Sequence, residues 1–372
     1  MTDIKKRMKT IKPLGNYMNG EYAVLSLAIL PNGKDAIMTG YGTSSPFLVN
    51  LATLSIEQVG SESSYSETIQ DGTDDDMTFR NVNRLTPLPD GRIVMDDGLT
   101  LRSLTRDDDG VFTVETIAGR DKKDGYVDGE ASEARFKFIS SLAYNPLKDS
   151  IIIADNYRIR ELNKDGIVST LAGKGIKREA SNRDLLDNFD VGLTASECSF
   201  STINGMAVLS NGTILVADSE KLRQISLDGN IFTIANFDHH IDGILVDADD
   251  NIYTSVVRFE DEDAFDDDDD IKSTTAIVKV NAVTKTVVDV VPFGSQIDCG
   301  RLISFTKEGH IMVADSSGIV HIVETSCRLN KKVEDETVVM RRSNRLAVLR
   351  DEQIAKRRRR SLRLAALRDS CV

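Results

Sequence analysis

Tryptophan is absent from this sequence of 372 residues, and aromatic residues make up only 6% of it. The four cysteines, at positions 198, 299, 327 and 371, lie far apart and include no Cys-x-x-Cys pair. This spacing argues against a disulfide framework or a zinc site, and it predicts free thiols in an intracellular compartment, cytoplasmic or nuclear. Long apolar runs are also lacking, since the longest, at residues 22–30, is interrupted by Ser26. We therefore expect no transmembrane segment and no secretory signal.

Charge is unevenly distributed along the chain. The whole sequence has 46 basic and 59 acidic residues, a net charge of −13. Residues 341–372 contain 11 basic and 3 acidic residues, which leaves 35 basic and 56 acidic residues elsewhere, a net charge of −21. A body this acidic repels a phosphate backbone, so we expect it not to bind nucleic acid. The composition changes near Leu329, which predicts one domain at 1–329 and a basic tail at 330–372.

Three segments repeat one short pattern almost letter for letter. They are Ile-Ile-Ile-Ala-Asp at 151–155, Ile-Leu-Val-Ala-Asp at 214–218 and Ile-Met-Val-Ala-Asp at 311–315. Weaker copies end at positions 40, 97 and 256, so six copies follow one another. Each copy is flanked by further short apolar runs and by Asp-Gly or Asn-Gly turns, which gives four antiparallel strands per unit. Six such units predict an all-β fold, a six-bladed β-propeller.

One unit carries a more specific pattern. It runs from Thr-Ile-Ala-Gly at 116–119 through an Asp-Gly-rich segment at 124–130 to the similar Leu-Ala-Gly at 171–173. This stretch resembles an NHL repeat, and similar copies lie at 193–236 and 300–323. The resemblance covers roughly residues 10 to 325 and implies a propeller of NHL type. The absence of tryptophan argues against WD40 repeats.

The last unit lacks a fourth strand, because its pattern ends after residue 324. Residues 9–15 have the spacing of the Thr-Ile-Ala-Gly outer strand. We predict that residues 1–16 close the last blade by pairing with residues 319–324, which would remove an exposed sheet edge.

The connections after the second and fourth strands of each unit are the long and variable ones, at 60–78, 119–138, 173–200 and 258–273. Because the strands are antiparallel, these connections share one face of the propeller, called here the long-loop face. Long loops on a rigid scaffold are a common place for binding. We therefore expect a protein partner to bind on this face.

Aligning the units places one residue just before each innermost strand, in a ring at the mouth of the central channel. The ring consists of Leu25, Asn83, Ser140, Asn204, Asp242 and Arg301, with His239 and His240 expected above it. This ring predicts a shallow polar binding site. It suits a polar small molecule or a peptide side chain better than a phosphate, since only Arg301 is cationic.

A metal site is the alternative interpretation of the same mouth. Glu21, Asn204 and Asp242 are the nearest matches to the Glu, Asn and Asp that hold a divalent cation in gluconolactonase-like six-bladed hydrolases. Oxygen ligands of this kind suit a calcium-like cation. The chain has no Gly-x-Ser-x-Gly motif and no phosphate-binding loop, and we otherwise expect no cofactor. The aspartates that end the repeated strands are predicted to be structural, accepting backbone N–H groups.

The tail is predicted to be a basic helix or an unstructured chain, since residues 341–368 are rich in helix formers and contain no glycine or proline. Its most basic block, typical of a nuclear import signal, consists of Lys356, Arg357, Arg358, Arg359 and Arg360. Such a tail suits an acidic partner, an anionic lipid surface or an import receptor.

Taken with the resemblance, these patterns favour a non-enzymatic NHL-type propeller that serves as a protein-interaction scaffold through its long-loop face. Two alternatives stay open. One is a divalent-metal-dependent, gluconolactonase-like hydrolase, which needs a cation at the channel mouth. The other is an RNA-binding propeller like those of tripartite-motif NHL proteins, which needs a basic face.

Overall fold

The computed structural model describes residues 8–11, 24–40, 43–53, 55–62, 68–175, 194–259, 273–293, 297, 300–306, 309–315 and 320–324. Regular structure in these residues is β-strand, apart from two 3-10 turns at Asp74–Asp76 and Ala195–Glu197. The strands form six sheets of four or five strands and one short two-stranded pair. The six sheets are the blades of a β-propeller, so the predicted six-bladed all-β fold is confirmed.

The first three blades follow one another along the chain, and two of them carry an extra short strand at the outer edge. The strands up to the end of the third blade are β1 (Met8–Ile11), β2 (Val24–Ile29), β3 (Asp35–Gly40), β4 (Phe47–Asn50), β5 (Ile56–Gln58), β6 (Ser61–Glu62), β7 (Gly72–Thr73), β8 (Thr78–Phe79), β9 (Leu85–Pro87), β10 (Ile93–Asp97), β11 (Thr100–Arg106), β12 (Phe112–Gly119), β13 (Gly129–Glu130), β14 (Ile139–Asn145), β15 (Ser150–Asp155), β16 (Arg158–Leu162) and β17 (Ile167–Ala172). Of these, β1 belongs to the last blade, and β6 and β8 form the separate two-stranded pair. Blade one is β2–β5, blade two is β9–β12 with β7, and blade three is β14–β17 with β13.

The remaining three blades have four strands each. Their strands are β18 (Ile203–Val208), β19 (Ile214–Asp218), β20 (Lys221–Ile225), β21 (Ile231–Asn236), β22 (His240–Val246), β23 (Ile252–Phe259), β24 (Ser273–Asn281), β25 (Thr286–Val291), β26 (Arg301–Phe305), β27 (Ile311–Ala314) and β28 (Val320–Val323). Blade four is β18–β21, blade five is β22–β25, and blade six is β26, β27 and β28 with β1 at its outer edge.

The hydrophobic core consists of six apolar layers, one between each pair of neighbouring blades. Every residue of β15 is buried, because a middle strand of a blade has a neighbouring blade against each of its faces. This explains why the repeated Ile-Ile-Ile-Ala-Asp segment is continuously apolar rather than alternating. Blade-to-blade packing thus fixes the six innermost strands around the central axis.

A buried Asp–Arg pair recurs at one place in blades two, three and four. The pairs are Asp97–Arg102, Asp155–Arg160 and Asp218–Arg223, with Nη1 to Oδ2 distances of 2.8, 3.0 and 3.0 Å. Each arginine also stacks on a buried phenylalanine ring, Phe79, Phe136 or Phe200. In blade six the corresponding Asp315 lies 2.7 Å from Nε2 of His321 instead.

The Asp–Arg pairs form hydrogen bonds with the loop that precedes the innermost strand of the blade. In blade three, Oδ1 of Asp155 accepts the backbone N–H groups of Lys137 and Phe138 at 2.7 and 3.0 Å. Arg160 donates to Asp128 and to the carbonyl of Val127, in the Asp-Gly-rich segment before the blade. Burial raises the pKa of Asp155, while the two backbone N–H groups and Arg160 oppose that rise. The structural role expected for this aspartate is therefore what the hydrogen bonds show.

The ring of blades is joined where the chain's first and last described strands meet. β1 pairs antiparallel with β28, in a register that places Met8 opposite Val323 and Ile11 opposite Val320. The chain divides into two units, residues 1–325 and 326–372, and the described residues all belong to the first. The predicted basic tail lies outside the described residues.

Candidate functional site

The innermost strand of every blade lines a central channel of about 280 Å³. These strands are β2, β9, β14, β18, β22 and β26, and each contacts the next around the ring. They start on the face that also carries the connections after the second and fourth strands, because each blade is antiparallel throughout. The channel therefore opens at one end among the loops of the long-loop face.

A β-bulge interrupts the start of the innermost strand in several blades. In blades one, three and four the pairing with the second strand shifts by one residue at Leu25, Ser140 and Asn204. These three residues lie inside the strands rather than just before them. A bulged residue is left out of the regular ladder, so the alternation of side chains is displaced at that point.

The structure distributes the predicted ring residues over two environments. Leu25, Asn204 and Arg301 line the channel. Asn83, Ser140 and Asp242 are not among its lining residues; in blades two, three and five the next residue of the chain lines it instead. Those next residues are Arg84, Ser141 and Gly243.

Glycines allow two innermost strands to come unusually close at this point. A Cβ atom added to Gly205 would lie 2.9 Å from the Cα atom of Gly243 in the next blade. Gly243 itself has a φ of +129°, which strains any residue with a side chain. Blades four and five therefore contribute backbone atoms rather than side chains to this part of the channel wall.

Arg84 is the residue of this site that sequence reasoning missed. It is half-buried at the channel wall, and its guanidinium makes no hydrogen bond or ion pair with the described part of the chain. Burial lowers the pKa of Arg84 to about 10; the charge of Arg301 lowers it further, and those of Asp96 and Asp242 raise it. The side chain therefore stays charged at neutral pH, and the charges of these three groups act on it.

Asp96 lies behind Arg84 and is 1% exposed. Its Oδ1 atom accepts the backbone N–H groups of Asn83 and Arg84, at 3.1 and 2.5 Å. Burial raises the pKa of Asp96 to about 6, although these N–H groups and the charge of Arg84 oppose the rise. The carboxylate thus fixes the backbone at the start of the innermost strand through these two hydrogen bonds.

Asp242 and Arg301 form a two-pronged ion pair across blades five and six. Nη2 and Nε of Arg301 lie 2.7 and 3.0 Å from the two carboxylate oxygens of Asp242. Both side chains are 21% exposed. The third nitrogen of the guanidinium, Nη1, is buried and has no hydrogen-bond partner among the described residues. Asn204 donates through Nδ2 to the carbonyl of Ile241 at 2.9 Å.

The two histidines expected above the ring lie apart from the channel lining. His239 makes an edge-to-face contact with Phe293, with ring centroids 5.7 Å apart. His240 is exposed, and its Nδ1 atom lies 3.3 Å from the hydroxyl of Ser219. Neither residue is placed against Asp242 or Arg301 by a hydrogen bond or ion pair within the described residues.

The described members of the predicted metal set do not suit a cation as they stand. Both oxygens of Asp242 face the guanidinium of Arg301, and Arg84 adds a second positive charge. Among the described residues no group of three or more His, Cys, Asp or Glu side chains is arranged to hold a metal ion. Glu21, the third member of the set, lies outside the described residues.

The basic tail block of Lys356, Arg357, Arg358, Arg359 and Arg360 also lies outside the described residues, as does the acidic run at 260–270. In the part of the chain that the structure describes, no helix has the length and hydrophobicity of a membrane span.

Comparison with known proteins gives the fold class and no family. No protein-family model matches the chain. Teneurin-4 from Mus musculus is 23% identical over 111 residues, which is 28% of this chain and only 4% of Teneurin-4. The chain therefore matches a very small part of the length of that curated protein.

Similarity to solved structures extends over most of the chain. A putative gluconolactonase superimposes with a TM-score of 0.54 at 12% identity, over 86% of this chain and 92% of that one. A virginiamycin B lyase from Staphylococcus aureus gives 0.47 at 10% identity, over 85% and 98%, which is too distant to add to the argument. At this level of identity the likeness shows the fold alone. The class that fold and channel define is the six-bladed β-propeller.

Proposed function

We propose that this chain is a propeller of NHL type that acts as a non-enzymatic protein-interaction scaffold through its long-loop face. The observation that carries the proposal is the channel mouth on that face, where the guanidinium of Arg84 makes no hydrogen bond with the described residues. Donors left unused at a surface opening are suited to a partner that supplies acceptors. The strand-end aspartate with an arginine five residues later, repeated in three blades, supports the NHL type.

An exposed aromatic side chain on the same face supports this role. Phe138 is 61% exposed, yet its backbone is fixed, since its N–H group binds Asp155 and its carbonyl accepts from the N–H group of Asn156. Exposed aromatic residues on a rigid backbone are well suited to act as contact points for a partner protein, because little conformational freedom is lost on binding.

The intracellular location and the tail belong to the same proposal. The four cysteines lie far apart in the sequence and include no Cys-x-x-Cys pair, which is in keeping with a reducing compartment. We expect the basic block at 356–360 to contact an acidic partner, an anionic lipid surface or an import receptor. The net charge of −21 outside residues 341–372 weighs against the RNA-binding alternative.

Two exposed apolar residues on opposite faces give a matched test. Phe138 and Leu227 are each 61% exposed; Phe138 lies on the long-loop face and Leu227 in the tight turn after β20, at the other end of the propeller. We expect proteins cross-linked in cells to the wild-type chain to be lost with Phe138→Ser and kept with Leu227→Ser. Loss with Leu227→Ser alone would contradict the assignment of the face.

The hydrolase alternative is tested on the same purified protein. A tightly bound, stoichiometric divalent metal together with lactone hydrolysis that disappears on chelation would overturn the non-enzymatic role. Absence of turnover with a panel of lactones at saturating calcium supports it.

A further inference from the structure

Three residues of the channel lining, Arg84, Arg301 and Asn204, have side-chain N–H groups that are not all used in hydrogen bonds. Arg84 donates no side-chain hydrogen bond, Nη1 of Arg301 is buried without a partner, and Asn204 uses its amide nitrogen on a single carbonyl. These statements hold for the described residues. Leaving a buried guanidinium N–H unpaired costs free energy, so an acceptor brought by a ligand would be stabilised there.

We infer that the channel mouth binds a carboxylate of an acidic peptide segment, with Arg84 as its principal partner and Arg301 and Asn204 as supporting donors. This inference rests on the proposed interaction role and names the chemistry of the partner. A guanidinium presents its N–H groups as a planar fork that matches the two oxygens of a carboxylate.

The charges around Arg84 decide between a carboxylate and a more highly charged anion. Asp96 and Asp242 both act on Arg84, so the two arginines of the mouth stand beside two acids. A phosphate carries close to two negative charges at neutral pH and would meet both carboxylates. A carboxylate carries one charge and places fewer oxygens near them.

The negative charge of the chain outside residues 341–372 limits the distance over which this site can attract an acidic peptide. Outside residues 341–372 the chain carries a net charge of −21, which repels an acidic peptide at long range. At physiological ionic strength this repulsion is screened beyond about 8 Å, whereas a contact inside the partly buried mouth is screened much less. Recognition is therefore local, and it depends on the donors of the mouth.

The test compares two arginines of the same blade on the full chain. Arg84 lines the channel, whereas Arg92 lies in the turn between β9 and β10 and pairs with Asp90 in an exposed ion pair. The probe is a fluorescein-labelled, glutamate-rich peptide, together with a twin in which every Glu is Gln. Binding of both peptides is measured by fluorescence anisotropy to the wild type, Arg84→Gln, Arg84→Lys and Arg92→Gln.

We expect the wild type and Arg92→Gln to bind the glutamate peptide at least about tenfold more tightly than its twin, the equivalent of 1.4 kcal/mol. Arg84→Gln should abolish this preference, and Arg84→Lys, which keeps the charge without the fork, should retain only part of it. If Arg84→Gln does not fold, Arg84→Lys carries the comparison. Equal binding of the two peptides to the wild type, or a preference that survives in Arg84→Gln, overturns the inference.

A competition arm identifies the source of the carboxylate. If succinate fails to displace the peptide at concentrations where a glutamate peptide without label does, the peptide is the ligand that the site requires. Displacement by succinate that depends on Arg84 assigns the site to small carboxylates and overturns the peptide assignment. The Phe138 experiment does not depend on Arg84, so a failure here leaves the interaction role to be judged separately.

Discussion

At the scale of single residues, burial of Asp96 has a consequence that can be measured by pH. Its pKa is raised to about 6, so the folded protein binds this proton more tightly than the unfolded chain, in which the value is near 3.8. The stability that protonated Asp96 provides is therefore complete below pH 4 and is lost as the pH rises through 6.

Asp96→Asn removes this titration. We expect the unfolding free energy of the variant, relative to that of the wild type, to increase by roughly 2 to 3 kcal/mol between pH 4 and pH 7. Urea unfolding of both proteins across this range measures the difference. A difference that does not change with pH, or that changes in the opposite direction, would show that Asp96 titrates normally.

The same mouth shows why the site could be foreseen only in part. The repeat predicts that Asn83, Asn204 and Arg301 lie at the start of the innermost strands, and the channel lining contains Arg84, Asn204 and Arg301. It could not indicate which of two neighbouring residues reaches the channel in blade two, where pairing of β9 with β10 begins at Leu85 and Arg84, not Asn83, lines the channel. The pairing of Arg301 with Asp242 joins two blades and has no signature within either repeat.

At the scale of structural elements, the buried Asp–Arg pair links each incoming loop to its blade. Asp155 holds the loop through two backbone N–H groups, and Arg160 holds the Asp-Gly-rich segment through Asp128 and Val127. A spacing of five residues, as in Asp97 to Arg102, repeats in the sequence and could have revealed the pair. These loops of the long-loop face are thereby fixed to the core.

Removing one partner of such a pair leaves a buried charge without its counter-ion. We expect Asp155→Asn to lower the unfolding free energy by about 2 to 4 kcal/mol. The control is Asp90→Asn, which breaks the exposed pair with Arg92 and should cost less than about 1 kcal/mol. Denaturant unfolding at pH 7 measures both, and equal losses would mean that the pair in blade three is not special.

At the scale of the whole molecule, the propeller depends on the pairing of β1 with β28. We expect deletion of residues 1–16 to lower the melting temperature markedly, since it removes the outer strand of blade six and exposes the edge of β28. Deletion of residues 1–5 alone leaves β1 intact and serves as the control. An unchanged melting temperature after the longer deletion would show that the pairing of β1 with β28 contributes little to stability.

The overall architecture was the part that the sequence predicted well, and the reason is physical. A middle strand such as β15 is covered on both faces, so the segment is continuously apolar and its copies can be counted along the chain. The layers between blades use the same residue types six times, so the fold is encoded redundantly. A binding site occurs once, and no repetition marks it.

The pairing of β1 with β28 can form only after both strands have been synthesised, and they lie far apart in the sequence. At 5–20 residues per second, a ribosome needs roughly 15 to 60 s to progress from Met8 to Val323. Throughout this interval β1 has been synthesised but its partner has not, and an unpaired strand readily adds to a sheet of another chain. Crowded synthesis on one messenger is therefore the situation in which a strand from one nascent chain is expected to close the ring of its neighbour.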